Sequence, residues 1–108
     1  MPHFYDPKAQ SGRSPAPGVT LRPIWLERLM MVRVEIEPHG EVPLHSHPHE
    51  QGGVVLEGEA TMTIGGETRT VRVGDGYLIP GGVDHAVVGG EAPSVFLDVF
   101  SPPREEYK

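Results

Sequence analysis

The densest chemistry in the sequence lies in seven consecutive residues, His45-Ser46-His47-Pro48-His49-Glu50-Gln51. Imidazole nitrogens are the commonest side-chain ligands of divalent transition metals, and an amide oxygen such as that of Gln51 can join them. Residues two apart on a strand share a face, so His45 and His47 would direct two rings into one space. The pair alone fits surface or stacked histidines equally well. His85 follows the turn Pro80-Gly81-Gly82, where a closed barrel could bring it opposite the pair. His49 is expected at the rim or behind the ligands, with direct ligation as the alternative. Glu50 becomes a carboxylate ligand if the register slips by one. His39 sits in a turn and His3 in the N-terminal arm, both expected without a role, and Asp84 reads as a turn residue.

A second group lies near the C-terminus. Val95-Phe96-Leu97-Asp98-Val99-Phe100 is apolar except for one acid. Period two places Phe96, Asp98 and Phe100 on one face and Val95, Leu97 and Val99 on the other. A buried, unpaired carboxylate is costly. Asp98 is therefore either a solvated residue on an edge strand or a partnered carboxyl in the cavity with a perturbed pKa. Ser101 could cap a short turn with Pro102 at its first position, folding Arg104 back over the barrel mouth. The alternative for Arg104 is an exposed charge paired with a glutamate.

These residues need strands to position them. Leu29–Glu37 ends in clean alternation, with Val32, Val34 and Ile36 against Arg33, Glu35 and Glu37. Further short strands are expected over 42–47, 52–57, 60–64, 68–73, 77–79, 86–88 and 94–100. Gly65-Gly66 makes a hairpin turn, and Gly58, Gly74-Asp75-Gly76 and Pro80-Gly81-Gly82 make other turns. No helical period is sustained. Eight to ten strands at this spacing predict an all-β sandwich or barrel. Residues 1–18, rich in Pro and Gly, read as an irregular arm, and residues 19–108 as the barrel.

Composition narrows the function. With 108 residues the chain holds one domain, small enough to gain from a metal or a second subunit. Fifteen acidic against 9 basic residues give a formal charge of -6, and no basic run occurs, which argues against nucleic acid as a partner. With no cysteine, thiolate sites are excluded and a reducing cytoplasm is expected. No signal peptide and no apolar run of membrane-spanning length is visible. The second apolar face, Val95, Leu97 and Val99, cannot share the cavity with Asp98, and a homodimer paired through it is expected.

Two longer patterns are more specific. Gly40-(four residues)-His45-x-His47-(three)-Gln51-(six)-Gly58 resembles the first cupin motif, and Gly74-(five)-Pro80-x-Gly82-(two)-His85 resembles the second. Fifteen residues separate them, as in compact single-domain cupins. Together with Leu97-Asp98-Val99-Phe100-Ser101-Pro102-Pro103-Arg104-Glu105-Glu106-Tyr107, the segment at 45–51 is similar to the pectin-degradation cupins called KdgF. That resemblance implies a cupin double-stranded β-helix, a jelly-roll barrel. It implies one divalent ion (Ni, Zn, Mn, Fe, Co or Cu) held by His45, His47, Gln51 and His85. It also implies Asp98, Phe100 and Arg104 at the far end of the cavity, and ring opening of a 4,5-unsaturated uronate, a small anionic sugar. An iron-dependent dioxygenase and a non-catalytic metal-dependent binder of a small acid are the alternatives. There are departures from the pattern. Gly40 stands one residue closer to His45 than usual, Gly89 replaces an Asn, and Gln51 replaces the common Glu. Three imidazoles and an amide leave a bound ion its full charge, which favours anionic ligands. Gly52-Gly53 stands where the family has bulkier residues, and a wider pocket or a looser dimer contact is expected there. Asp98 and Arg104 are not ligands, so substituting them is expected to leave the metal undisturbed.

Overall fold

The structure is a computed structural model that describes residues 3–108; Met1 and Pro2 of the expected arm lie outside the described residues. The alternation in β3 (Met30–Ile36) is expressed directly. Met30, Val32, Val34 and Ile36 are buried, and Met31, Arg33 and Glu35 are half-buried on the opposite face. β10 (Ser94–Ser101) lies between β3 and β5 (Glu50–Glu57), antiparallel to both. It is thus a central strand, and Phe96, Asp98 and Phe100 all point inward and are buried. Fully burying a side chain such as Phe96 or Met30 contributes roughly 1.5–3 kcal/mol.

β2 (Val19–Trp25) and β8 (Gly76–Ile79) extend this sheet, and β1 (Arg13–Ala16) pairs with β2 at its edge. The order is β1-β2-β3-β10-β5-β8. The second sheet runs β4 (Glu41–His45), β9 (His85–Gly89), β6 (Glu59–Ile64), β7 (Glu67–Arg72). The two antiparallel sheets enclose one core, the expected all-β jelly-roll barrel in a single domain. Within the segment expected to be an irregular arm, Pro7–Ala9 forms a 3-10 turn capped by the Asp6 side chain, and β1 follows. Gly65 and Gly66, with φ of 56° and 86°, make the β6–β7 hairpin, since two successive positive φ angles suit a tight hairpin turn.

Two local expectations are corrected. β4 stops at His45, so His47 belongs to the following loop and the strand period does not align it with His45. Ser101 caps nothing; its hydroxyl donates to Arg28 O at 2.8 Å, and the final 3-10 turn begins at Glu105.

On the outer face of the larger sheet, the pairing aligns Ile24, Met31, Val99, Gly52 and Leu78 in one apolar row across five strands. Further along the same face, Arg22, Arg33, Glu35 and Glu57 form ion pairs.

Candidate metal centre

His45 ends β4 and His85 begins β9, and the two are directly paired across the sheet. His47 reaches them from the loop after β4. That loop is held against the turn before β9, because Gly82 N–H donates to His47 O at 2.8 Å. Gly81 permits the approach, since a Cβ there would run into Pro48 O. The result is three imidazoles, each offering one nitrogen, with those atoms all within 4.8 Å of one another.

Each ring is fixed from behind by a nearby backbone carbonyl. His45 Nδ1 lies 2.8 Å from Pro43 O, His47 Nδ1 3.1 Å from His49 O, and His85 Nδ1 2.9 Å from Val83 O. A neutral imidazole with its Nδ1 proton on a carbonyl presents a bare Nε2, the arrangement that orients a metal-ligating histidine. His85 Nε2 is buried and has no protein partner. His47 has more acceptors than protons. Its Nε2 faces Gln51 Oε1 at 3.0 Å, while its Nδ1 faces the His49 carbonyl. Burial, with the charge of Arg104 and the neighbouring His85, pushes its pKa down to about 4. Near neutrality the ring therefore holds one proton for two acceptors, and a cation shared by Nε2 and Oε1 resolves the mismatch. Burial lowers the pKa of His85 as well. The donor set fits a divalent transition ion.

Gln51 is oriented from the opposite side. Its Nε2 donates to Asp98 Oδ2 at 3.1 Å, which turns its carbonyl oxygen toward the histidines. Asp98 Oδ1 accepts a short hydrogen bond from the Tyr77 hydroxyl. Asp98 is thus a buried, partnered carboxyl lining the cavity, on a strand with neighbours on both sides. Burial pushes its pKa up to about 6, against the two donors that lower it. Burial and the adjacent carboxylate push that of Tyr77 up. Gly53 is paired with Tyr77, and a Cβ at Gly53 would collide with the Tyr77 hydroxyl and Asp98 Oδ1. The glycine pair therefore does not open the pocket at this point: Tyr77 occupies the space.

Arg104 combines both expectations. It is 9% exposed and lines the cavity, yet its Nε donates to Glu106 Oε1 at 3.1 Å. Its Nη1 donates to the Tyr107 hydroxyl at 2.7 Å, and its guanidinium sits 4.3 Å from the Tyr107 ring centre. The hydrogen bond from Arg104 holds the Glu106 carboxyl below the usual range. Phe100 lies between the two groups, its ring 5.7 Å from both His47 and Tyr107. His49 lies behind His47, its ring 5.5 Å away and its Nδ1 buried without a partner, outside the three-histidine cluster. Glu50 and Asp84 are exposed, as are His3 and His39. Tyr77 and Tyr107 are cavity residues that sequence reasoning passed over. The available signal for Tyr77 was its alternation with Ile79 on a short strand.

The cupin-domain family profile matches residues 32–100. The pectin degradation protein KdgF of Dickeya dadantii is 36% identical over 84 residues, which cover 77% of this chain and 76% of that protein. Among solved structures, an RmlC-like cupin from Shewanella frigidimarina superposes with a TM-score of 0.91 at 27% identity, over 100% of this chain and 97% of that one. The structure of KdgF from Halomonas sp. gives 0.89 at 27% identity, over 98% of both chains. The paired motifs, the two-sheet barrel and these matches agree: the chain belongs to the cupin family.

Proposed function

We propose that this cupin is a metal-dependent enzyme that opens the ring of a 4,5-unsaturated uronate, with His45, His47, Gln51 and His85 as the ligands of one divalent ion. The observation that carries the reading is a cluster of three imidazoles, two of them, His45 and His85, lining a cavity together with Gln51, a buried carboxyl at Asp98 and a buried guanidinium at Arg104. The similarity to KdgF, named for pectin degradation, supports the substrate class. A divalent ion bound by four neutral ligands supplies a Lewis acid that polarises substrate oxygens.

The chain's own groups do the rest. Arg104 grips the substrate carboxylate, for which its planar fork suits it, in competition with Glu106. Ring opening takes the proton from the anomeric hydroxyl, breaks the bond from the anomeric carbon to the ring oxygen, and leaves an aldehyde and an enolate. The enolate carbon that does not bear the oxygen then takes that proton, and the oxygen-bearing carbon becomes a ketone. Asp98, with a pKa near 6, is suited to accept the proton and return it as general acid/base. Phe100 walls the pocket between the ligands and Arg104. The test is incubation with unsaturated uronates, following the loss of their ultraviolet absorbance. Turnover that is lost on chelation supports the reading, and an inactive metal-loaded protein on every such sugar refutes it.

We further propose a homodimer. The apolar row through Val99, Gly52 and Leu78, with Leu78 82% exposed, suits burial against a second copy. Sedimentation as an 11.8 kDa monomer at tens of micromolar would contradict it.

A further inference from the structure

We infer that Tyr77 is a positioning residue for the metal centre: acting through Asp98, it fixes which end of the Gln51 amide faces the histidines, and Gly53 exists to admit its ring. The inference rests on the ligand set proposed above.

A glutamine ligand has a problem that a glutamate does not. Its side chain ends in one oxygen that can bind a cation and one NH2 group that cannot, and the two are nearly the same shape. A half-turn of the amide would present two N–H donors to the ion. In this chain the choice is made by Asp98. A carboxylate accepts hydrogen bonds and donates none, so only the NH2 end of Gln51 can face it. Gln51 Oε1 is thereby left against His47 Nε2.

That control works only if the carboxylate itself is held. Asp98 stands in the middle of β10, between Val32 of β3 and Gly53 of β5. The Tyr77 hydroxyl, from the strand beyond Gly53, donates to Oδ1 and leaves Oδ2 aimed at Gln51. To reach Asp98 from β8, the Tyr77 ring must cross over the intervening β5. A side chain at position 53 would block that path, because its Cβ would meet both Tyr77 and Asp98 Oδ1. Register, clearance and hydrogen bonding thus converge on one chain of contacts, Tyr77 to Asp98 to Gln51 to the metal ligands. Outer partners of this kind commonly set metal affinity by about 10–100-fold.

The experiment measures cobalt(II) or zinc(II) affinity by competition with a chelating dye, in the parent and in Tyr77→Phe, Gly53→Ala, Asp98→Asn, Gln51→Glu and Gln51→Glu/Asp98→Asn. Thermal melts of each metal-free variant report folding separately. Tyr77→Phe removes the donor to Oδ1, the carboxylate can rotate, and its hold on Gln51 loosens; affinity should fall by about 10–100-fold. Gly53→Ala should fall similarly by displacing the ring. Asp98→Asn turns its own NH2 toward Gln51 and drives the amide to present N–H to the ion, with a comparable loss. The double exchange moves the charge and keeps every hydrogen bond: Tyr77 donates to the Asn carbonyl, the Asn NH2 donates to one Glu oxygen, and the other Glu oxygen remains for the metal. It should recover affinity relative to Asp98→Asn alone, and by more than Gln51→Glu gains in the parent, a rescue that neither a general loss of packing nor the added carboxylate charge would give. A parent that binds metal with Tyr77→Phe binding equally well would overturn this inference and leave the ligand set standing. A parent that binds no divalent ion would overturn both.

Discussion

The two walls of the cavity are held in place by different means. On the wall of the smaller sheet, each histidine is fixed by a carbonyl two residues away: His45 by Pro43, His47 by His49 and His85 by Val83. On the wall of the larger sheet, Gln51 is fixed by Asp98, 47 residues on, and Asp98 by Tyr77, 21 residues back. The first wall consists of independent local clamps. The second is a network in which every member depends on the one before it. Losing a clamp should remove one ligand and little else, whereas losing a network member should change several properties at once.

The largest effect should come from the locally clamped wall, because its residues are the proposed ligands themselves. His47→Ala should abolish metal occupancy in purified protein, as elemental analysis would show. His39→Ala should not, since His39 is exposed in a turn away from the cluster. A normal metal load in the His47 variant would mean that the cluster is not the metal centre, and the contrast between the walls would lose its basis.

Asp98→Asn tests the networked wall. At saturating metal it should still cost about two to four orders of magnitude in turnover, the usual size of a general acid/base effect. From the sequence, this change was expected to spare the metal. The Gln51–Asp98 hydrogen bond revises that expectation: the same substitution should also weaken metal binding. An Asp98→Asn variant with full turnover at saturating metal would confine Asp98 to positioning the amide.

This contrast also explains what was legible in the sequence. Strand alternation in β3 and the hairpin at Gly65-Gly66 are local patterns, and they were placed to within a residue or two. His45, His47 and His85 stand out through spacing, although His47 does not share a strand with His45. The strand ends at His45, and His47 is brought in by the loop's bond to Gly82. Tyr77 was invisible because its importance comes from neighbours on other strands. Only the pairing of β8 with β5, and of β5 with β10, turns a tyrosine, a glycine and an aspartate into one contact chain. For the same reason the Gly52-Gly53 departure looked like empty space, when at Gly53 it is the room that Tyr77 occupies.

A smaller effect is expected at Arg104, which joins the second wall through partners two and three residues away. Arg104→Lys keeps the charge but loses the fork and the stacking on Tyr107. KM for an anionic substrate should rise roughly tenfold, the equivalent of one charge-assisted hydrogen bond of about 1.5 kcal/mol. Metal content should stay at the parent level, because Arg104 has no bond to Gln51 or the histidines that would pass the change on. Kinetics and elemental analysis on the same preparation check both halves.

The finest distinction between the walls lies in how the metal-free protein responds to acid. His47 titrates at about 4 in the fold against 6.5 when unperturbed, and His85 is also lowered. Between pH 6.5 and 4 the unfolded chain therefore binds more protons at these histidines than the folded one. Stability from the first wall is present above pH 6.5 and is lost as pH falls toward 4. Asp98 has the opposite sign. Its pKa is about 6 in the fold against 3.8 unperturbed, so between those values the folded state binds the extra proton. Its contribution is most favourable below pH 3.8 and diminishes as pH rises through 6. Over most of the same window the two walls thus oppose each other, and the parent's melting temperature should decline only gently on acidification. Asp98→Asn removes the opposing contribution, and by turning the Gln51 amide it also takes away the oxygen that favours the protonated His47 ring, which acts in the same direction. Its melting temperature, measured in chelator from pH 7 to pH 4, should fall more steeply than the parent's, by roughly 4 °C for each kcal/mol no longer offset. Parallel melting curves for the two proteins across that range would show that Asp98 does not take up a proton near pH 6, and that the two walls do not differ in this respect.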